Sequence, residues 1–350
     1  MKSLNELGWH IGDKEYHESP ILSFSTISRY YKEGFENLDK LYDKIESPSL
    51  LFGSIVDTLL LGTKEEFDSQ YFVCTVPLIS DEFKELMNAI KDELGTTHTS
   101  LMDIPDKTIV EYLDRFGIYQ NNWHADTKAN KVREACSTYY NMLHKAEGKA
   151  IVTTDMYNDA VACVDVLKSS VGTEFYFRED NKFDGIERVK QLKIKGNYQG
   201  VDIRGMLDLC VVDHNAKTIQ PCDLKTSSTE EYNFPRSFIK YCYYMQASIY
   251  TYLLKQLIAT DEYFKDFKVL PFKFIVVCNR TRSPKVWEFK FAEAENEIGI
   301  ETSHKNIVYL ASWRKYALEL NKYITIRQDS PDGIYDDRPN DIIESIKGWK

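Results

Sequence analysis

The sequence has no long hydrophobic run, no surplus of positive charge and no leader-like N-terminus. No apolar run approaches the roughly 20 residues that a membrane helix requires, so we do not expect a membrane protein. Lysine and arginine number 44 against 54 acidic residues, and the net charge of −10 excludes a generally basic surface for nucleic acid, although a local basic lining stays open. The first 20 residues are polar and mixed in charge, which predicts neither a signal peptide nor a basic presequence.

Cysteines are few and scattered. There are seven, an odd number, and no two are spaced as CxxC. Several lie inside apolar runs, where a reduced thiol behaves as a small hydrophobic side chain. The spacing therefore predicts no disulfides, no structural zinc site and no iron–sulfur cluster, and it favours a cytosolic protein.

The composition is that of an ordinary globular protein. Hydrophobic residues make up 43% and charged residues 28%, so a large core can form and disorder throughout is excluded. Residues 1–170 show mainly helical periodicity. We expect one helix capped by Ser25 or Ser28, another that begins after Pro48, and a third over Thr154–Ser169.

Strand-like segments begin near residue 172. Their order, strands followed by helix, strands and helix, predicts an α/β (α+β) core behind a helical front half. We expect three parts: a mainly helical part (1–170), the core (171–323) and an acidic C-terminal extension (324–350). The predicted strands cover 186–195, 201–212, 217–224, 272–278 and 285–291, and the predicted helices of the core cover 236–258 and 292–322.

The second and third strands are joined by a turn signal over residues 213–217, which predicts an antiparallel hairpin. Opposed residues then have numbers that add up to about 431, as those of Asp208 and Asp223 do. Directly opposed Cβ atoms lie about 4.5–5.5 Å apart, so the two carboxylates would repel each other unless a divalent cation lay between them. Mg²⁺ binds through one or two carboxylates together with water and phosphate oxygens.

Lys225 follows Asp223 by two residues, so strand alternation puts both side chains on one face, roughly 6–7 Å apart along the strand. A lysine there can stabilise charge on a phosphate or position a metal-activated water. Two plainer interpretations stay open: a buried acid–lysine ion pair without chemistry, and a register that differs by two residues.

Three short motifs follow one another in this region: Gly205–Asp208 (GMLD), Asp223–Lys225 (DLK) and Gln246–Tyr250 (QASIY). In this order and spacing they resemble the PD-(D/E)xK nuclease superfamily, and within it the RecB/RecE-type exonucleases, which include phage-encoded exodeoxyribonuclease VIII-like proteins. Residues 23–30 (SFSTISRY) and 53–61 (GSIVDTLLL) resemble two helices of these nucleases. The resemblance covers about residues 20–320 and implies a restriction-endonuclease-like core, with a central mixed sheet flanked by helices.

The resemblance also implies a metal site. Asp208 and Asp223 match the two metal-binding carboxylates, with the main-chain carbonyl of Leu224 as a further ligand. Lys225 matches the catalytic lysine. The implied cofactor is Mg²⁺, for which Mn²⁺ can substitute. Asp57 stands where the family usually has a histidine ligand, and a carboxylate is a harder ligand that suits either ion.

Three further residues match the family less specifically. Glu174 is similar to the acidic residue that precedes the first strand and joins the catalytic set, with Glu179 and Asp180 as alternatives. Gln246 and Tyr250 match the motif helix that supports the site and the nucleic acid. As i, i+4 neighbours on one helix face, they fit equally well a buried amide and a core ring.

Two more residues are candidates for DNA contact on their chemistry. Arg204 can meet a phosphate or simply face solvent. Thr226 follows the lysine and can offer its hydroxyl to a backbone phosphate, or it can serve as a helix cap or turn residue. Both stay open between the functional and the structural interpretation.

The function that the resemblance implies is a metal-dependent deoxyribonuclease, most specifically an exonuclease that degrades duplex ends in the 5′→3′ direction during phage or mobile-element recombination. It implies a homo-oligomer, a single-strand-annealing recombination protein as partner, and the cytoplasm of a bacterial or phage-infected cell. Two alternatives are kept. One is a catalytically degenerate DNA-binding or assembly module of the same fold, and the other is a restriction-type endonuclease.

Overall fold

A computed structural model of the protein describes residues 1–34, 38, 40–43, 45, 47–75, 79–181, 183–293, 297–301 and 307–329. The strands are β1 (Leu22–Ser23), β2 (Tyr71–Cys74), β3 (Ala150–Thr153), β4 (Ile186–Tyr198), β5 (Val201–Asp213), β6 (Thr218–Ser227), β7 (Lys268–Val269), β8 (Phe272–Cys278), β9 (Lys285–Phe289), β10 (Phe291–Glu293), β11 (Glu297–Glu301) and β12 (Ile307–Ala311). The α-helices are α1 (Asp13–Glu18), α2 (Phe24–Glu33), α3 (Pro48–Leu61), α4 (Lys64–Gln70), α5 (Asp81–Leu94), α6 (Asp106–Arg115), α7 (Ala125–Lys145), α8 (Thr154–Ser169), α9 (Glu174–Phe177), α10 (Phe234–Lys240), α11 (Tyr243–Ala259) and α12 (Trp313–Asp329). Short 3₁₀ helices cover Leu4–Leu7, Leu101–Asp103 and Glu231–Asn233.

The chain divides into two compact units: Ser54–Val164, and Met1–Gly53 together with Asp165–Lys350. These units are divided differently from the parts predicted from the sequence. Residues before Gly53 belong with the sheet, because β1 pairs in parallel with β5. The predicted extension also differs, since its first residues are the end of α12 and its remainder, residues 330–350, lies outside the described residues.

The unit formed by residues 54–164 is mainly helical, as its periodicity predicts. Apolar residues three or four positions apart on α5, α6 and α7 form its buried core, as Leu86 and Ile90 do on α5. Ser80 caps α5 by accepting a hydrogen bond from the N–H of Phe83. β2 and β3 form a parallel pair.

The cap of α2 is Ser23 rather than Ser25 or Ser28. The Ser23 hydroxyl accepts from the N–H of Thr26, and the Thr26 hydroxyl accepts from the N–H of Ser23, so the two residues form a reciprocal capping box. The predicted cap lies two or more residues C-terminal to the observed one. Three serines and a threonine within six residues could each cap the helix, and only the extended backbone of Ser23 decides between them.

The other unit is built on a mixed sheet of seven strands, which confirms the predicted α/β class with a central mixed sheet. β5 pairs antiparallel with β4 and with β6, β6 pairs in parallel with β7 and β8, and β9 closes one edge antiparallel to β8. α11 packs on the core face of β4 and β5. The strand β8 and the helix α8 have the bounds that the sequence predicts.

The β4–β5 hairpin contains an irregularity that reverses its faces. The ladder runs through Lys190 opposite Leu209 and resumes at Leu192 opposite Leu207, which leaves out Gln191 and the residue opposite it, Asp208. Gln191 has a φ of 48°, a left-handed conformation that is unusual inside a strand. The core residues of β5 are Val201, Ile203 and Leu207 before this point and Cys210 and Val212 after it. The core face therefore changes from odd to even positions, and Asp208 shares the face of Cys210.

Two predicted helices of the core are only partly helical. The segment 236–258 is interrupted at Cys242, which has a φ of 59° and separates α10 from α11. The segment predicted as one charged helix over 292–322 forms β10, β11 and β12, an antiparallel three-stranded sheet, before α12 begins at Trp313. Its strands carry alternating apolar residues such as Ile298 and Ile300, a period that the high charge of the surrounding residues obscured.

Nowhere in the described chain does a helix combine the length and hydrophobicity that crossing a bilayer demands.

Candidate functional site

The site lies where β5 changes partners. On one side of β5, Ile203 and Arg204 pair with β1, and residues 209–213 pair with β6. The segment Gly205–Asp208 lies between these two ladders, so the sheet is open on this side. In the β5–β6 ladder opposed residues have the predicted register, since Leu209 lies opposite Cys222. Asp208 and Asp223 occupy the next position, just beyond the last ladder pair.

Asp208 reaches across this opening to the backbone of β6. Its Oδ2 accepts a hydrogen bond of 2.8 Å from the N–H of Leu224. The N–H and C=O of one strand residue point to the same side, so the carbonyl of Leu224 is also directed toward β5. The opening therefore gathers a carboxylate from one strand and a peptide group from the other.

Asp223 is the buried carboxylate of the site, with 1% of its surface exposed. Its Oδ1 accepts a hydrogen bond of 2.7 Å from Gln246 Nε2, and its Oδ2 lies 2.5 Å from Lys225 Nζ. The Lys225 ammonium is thus the charge partner of Oδ2, which has no other donor within the described part of the chain. This atom retains the capacity to bind another cation or donor.

Lys225 is held between charge and an aromatic ring. Its Nζ lies 4.6 Å from the centroid of Tyr243, at cation–π distance. Burial would by itself lower the pKa of Lys225, but the charges of Asp223 and Asp208 and the contact with Tyr243 raise the pKa above its usual value. Lys225 is therefore cationic at neutral pH, in the state that can neutralise a phosphate and cannot act as a general base.

Gly205 of the GMLD motif is explained by the ring of Tyr250. A Cβ at position 205 would lie 2.9 Å from both Cδ1 and Cε1 of that ring, closer than side chains approach one another. Burial, with the nearby Tyr16, Asp223 and Asp208, raises the pKa of Tyr250 well above its ordinary value, so its hydroxyl stays protonated. Glycine here lets α11 approach β5 closely enough for its side chains to reach the carboxylates.

Gln246 connects α11 to the site through one atom of its amide, and the other polar atom of the amide has no hydrogen-bond partner among the described residues. Its amide nitrogen is used on Asp223, whereas its Oε1 is buried and has no hydrogen-bond partner among the residues that the structure covers. A buried amide oxygen left without a donor costs free energy, about 1–3 kcal/mol by analogy with mutational series. Such an atom is typical of a site whose remaining partner is a water molecule or a ligand.

Arg204 has a different role from the predicted phosphate contact. Only 6% of its surface is exposed. Its guanidinium donates to the carbonyls of Ile21, Ser19 and His17 and lies 4.5 Å from the centroid of Tyr16. These contacts fix the N-terminal segment against β5, so the structure corrects Arg204 to a structural residue.

Two other predicted residues, Thr226 and Glu174, do not join the carboxylates. Thr226 is on β6 next to Lys225, and strand alternation directs its side chain to the opposite face of the sheet, where its Oγ1 is near Gly53. Glu174 is exposed at the start of the short helix α9. Asp57 lies half-buried on α3 in the unit formed by residues 54–164, and its part in metal binding stays a prediction.

Sequence reasoning missed two tyrosines near the site. Tyr243 lies at the start of α11, and its ring contacts Lys225. Tyr16 comes from the N-terminal segment. Burial raises the pKa of Tyr16 to about 12, although Arg204 acts in the opposite direction. The charge of Asp208 also raises this pKa, so the two side chains are close. The spacing of Tyr243 from Gln246 could have indicated the first, whereas no local signal connects Tyr16 with the hairpin.

The donor set fits Mg²⁺. No group of three or more His, Cys, Asp or Glu side chains arranged to hold a metal occurs among the described residues. The opening does hold Asp208, Asp223 and the carbonyl of Leu224, all hard oxygen donors, and Oδ2 of Asp223 has no donor besides the Lys225 ammonium within that same set of residues. Two carboxylates supplemented by water and substrate oxygens are the usual protein contribution to a Mg²⁺ site.

Comparisons with known proteins return little. No family model and no curated protein matches the chain. Among solved structures, the chain is similar to a crystal structure from Eubacterium rectale named as a putative exonuclease, with a TM-score of 0.39 and 13% sequence identity. The alignment covers 91% of this chain and 86% of that one.

Proposed function

We propose that the protein is a metal-dependent deoxyribonuclease that hydrolyses phosphodiester bonds in the opening between β1, β5 and β6. The observation that carries the proposal is the arrangement of Asp208, Asp223 and Lys225. Asp208 and Asp223 occupy opposed strand positions just beyond the end of the β5–β6 ladder, and Lys225, on the same face as Asp223, is cationic beside it. A purely structural ion pair needs only one of these carboxylates.

Asp208, Asp223 and the carbonyl of Leu224 would hold the Mg²⁺ ion. When bound, the ion supplies a water of lowered pKa and neutralises charge on the phosphate oxygens. The Lys225 ammonium stabilises negative charge on the phosphate during attack. Gln246 holds Asp223 in place through its amide nitrogen, and its free Oε1 can accept a hydrogen bond from a water molecule in the site.

Finer properties of the function come from the family resemblance alone. We propose that the enzyme is an exonuclease acting on duplex ends in the 5′→3′ direction, with a role in phage or mobile-element recombination. We further propose a homo-oligomer that works with a single-strand-annealing protein in the cytoplasm of a bacterial or phage-infected cell. Mn²⁺ is expected to replace Mg²⁺, because both ions favour oxygen ligands.

The proposal is tested by incubating the 350-residue protein with linear and with closed-circular duplex DNA, in Mg²⁺ or in EDTA. The informative variants are Lys225→Ala, Lys225→Met, which keeps the aliphatic stem, and Lys190→Ala as a control at an exposed strand lysine. We expect wild type and Lys190→Ala to degrade linear DNA only in Mg²⁺. Both Lys225 variants are expected to be at least about 100-fold slower.

The other outcomes separate the alternatives. Cleavage of closed circles would replace the exonuclease with a restriction-type endonuclease. DNA that binds but stays intact in Mg²⁺ and in Mn²⁺ would contradict the proposal and leave a non-catalytic DNA-binding module of the same fold. Circular dichroism of each variant separates loss of chemistry from loss of structure.

A further inference from the structure

An exposed aromatic ring between two lysines lies beside the candidate site. Tyr241 has 44% of its surface exposed. The Nζ atom of Lys240 lies 5.3 Å from the centroid of its ring, and that of Lys32, on α2, lies 5.8 Å from it. We call these three residues the Tyr241 platform.

The Tyr241 platform is continuous with the site through a second ring. The centroids of Tyr241 and Tyr243 are 5.7 Å apart with an angle of 37° between the planes. The ring of Tyr243 in turn lies 4.6 Å from Lys225 Nζ. A ligand on Tyr241 is therefore two ring contacts away from the lysine that the proposed reaction uses.

The backbone between the two rings is held in an unusual conformation to bring them together. In a continuous helix, residues 241 and 243 would point to different sides, because successive side chains are about 100° apart. Cys242, with a φ of 59° and a ψ of 32°, breaks the helix with a left-handed residue that is not glycine. Such conformations have a cost and cluster at ligand-binding sites. The break sets Tyr241 at the surface beside Tyr243.

The charges of the platform favour an anionic ligand. Neither Lys32 nor Lys240 forms an ion pair with any residue in the described ranges, whereas the adjacent Glu33 pairs with Arg29 at 3.4 Å. Lysines on an exposed ring make weak contacts, and a nucleobase stacks on such a ring more strongly. A stacked base would displace the ammonium groups toward the phosphates on either side of it.

From these contacts we propose that the Tyr241 platform binds an unpaired base of a single DNA strand, with Lys32 and Lys240 on the flanking phosphates, and leads that strand to Lys225. The inference deepens the proposed function, on which it rests, by naming a single-stranded or frayed end as the form of DNA recognised next to the site. The ring accepts any base, so binding is expected to be insensitive to sequence.

The test measures binding rather than cleavage, with the 350-residue protein in EDTA and a short fluorescein-labelled single strand or the matching duplex. We expect Tyr241→Ala to weaken single-strand binding about tenfold and duplex binding less, while Tyr241→Phe keeps the wild-type affinity because the ring remains. The double variant Lys32→Ala/Lys240→Ala is expected to reduce the slope of log affinity against log salt by about 1.4. Tyr309→Ala, at an exposed tyrosine of β12, is the control for loss of a surface ring.

Two results would overturn the inference: single-strand affinity that Tyr241→Ala leaves unchanged, as it would be if the patch binds a partner protein, or an equal loss in Tyr309→Ala. The same samples given Mg²⁺ report on the proposed function separately. If wild type binds the strand through Tyr241 but leaves it intact, the nuclease proposal fails and the platform stands. If wild type degrades DNA while Tyr241→Ala binds normally, only the platform fails.

Discussion

The carboxylates of Glu231 and Asp223, near β8 and on β6, are almost fully buried. They differ in the groups that donate hydrogen bonds to them or neutralise their charge. Glu231 is 3% exposed and accepts hydrogen bonds from the N–H groups of Cys278 (3.1 Å) and Ser283 (3.0 Å) and from the hydroxyl of Thr281. All these donors are neutral and come from the last residue of β8 and the loop that follows it. Asp223, at 1% exposed, has instead an amide on one oxygen and an ammonium near the other.

The difference separates a structural carboxylate from a reactive one. The donors on Glu231 are backbone groups and a hydroxyl at fixed positions, so the carboxylate is saturated and ties the β8–β9 loop to the 3₁₀ helix at residues 231–233. Asp223 is balanced by the charge of Lys225, and its Oδ2 has no other donor in the described structure. Burial alone therefore does not identify a site, whereas the kind of partner does.

The largest expected difference between the two carboxylates is in catalysis. Asp223→Asn removes a charge from the proposed metal site and is expected to slow hydrolysis of linear duplex DNA by about 10³-fold. Glu231→Gln is expected to keep nearly the wild-type rate, because Glu231 has neutral donors and no lysine beside it. The measurement is the initial rate in Mg²⁺ with both variants at equal concentration.

That comparison needs a check of folding, since asparagine places an N–H₂ group beside the Lys225 ammonium. Near-ultraviolet circular dichroism should give the same spectrum for Asp223→Asn as for wild type. Equal rates in wild type and Asp223→Asn, or an equal loss in Glu231→Gln, would remove the distinction between the two carboxylates.

The next effect concerns stability rather than catalysis, and here Glu231 is the carboxylate whose replacement should be felt. Its ionised form should contribute to the free energy of unfolding at neutral pH and not at low pH. Burial would raise the pKa of Glu231, but the hydrogen bonds from Thr281, Cys278 and Ser283 outweigh it and hold the pKa below its ordinary 4.5. A carboxyl group with a lowered folded-state pKa contributes stability above pH 4.5, and that contribution is lost as the pH falls through the folded-state value.

Urea unfolding followed by circular dichroism at pH 7 and at about pH 3 tests this dependence. At pH 7, Glu231→Gln is expected to lower the free energy of unfolding by about 1.5–3 kcal/mol, the contribution of hydrogen bonds to a charged group. At the lower pH the difference from wild type should shrink. Glu134→Gln, at an exposed position in the middle of α7, should be near wild type at both values. A difference that grows on acidification would contradict the lowered pKa of Glu231.

Much of the sheet could be predicted because its signals are local. The turn residues between β5 and β6 set the register, which the structure confirms, and the apolar run of β8 is bounded by Pro271 on one side and polar residues on the other. The helix predicted over 292–322 was wrong because the charge of this segment dominated its weak alternation. The break at Cys242 was not predictable, since a left-handed cysteine has no sequence signature.

Only those residues of the candidate site that lie on the β5–β6 hairpin could be predicted from the sequence. Asp208 and Asp223 follow from register, and Lys225 from alternation. Arg204 was assigned to phosphate because its partners, the carbonyls of an N-terminal segment, are far away in sequence. The contacts of Lys225 with Tyr243, and of Tyr243 with Tyr241, depend on how α10 meets α11, which pairwise spacing does not contain.

The smallest expected effect is at Gln191, whose left-handed backbone reverses the faces of the hairpin and turns Asp208 toward α11. A left-handed conformation costs a residue with a Cβ about 1–2 kcal/mol, and glycine adopts it freely but loses about 0.5–1 kcal/mol of backbone entropy on folding. Gln191→Gly is therefore expected to stabilise the protein by up to about 1.5 kcal/mol. Lys190→Gly, one residue away at ordinary strand geometry, should destabilise it by about 0.5–1 kcal/mol.

Opposite signs in these two neighbouring glycine variants would show that position 191 needs its conformation rather than its side chain. Because the reversal of faces is retained, Gln191→Gly should also keep the wild-type rate of hydrolysis. If both variants destabilise equally in urea, Gln191 is an ordinary strand residue in solution. The strand would then not reverse its faces in solution. Asp208, at an even position, would lie on the face opposite to the odd-numbered core residues Val201, Ile203 and Leu207. It would therefore point away from α11 and Asp223.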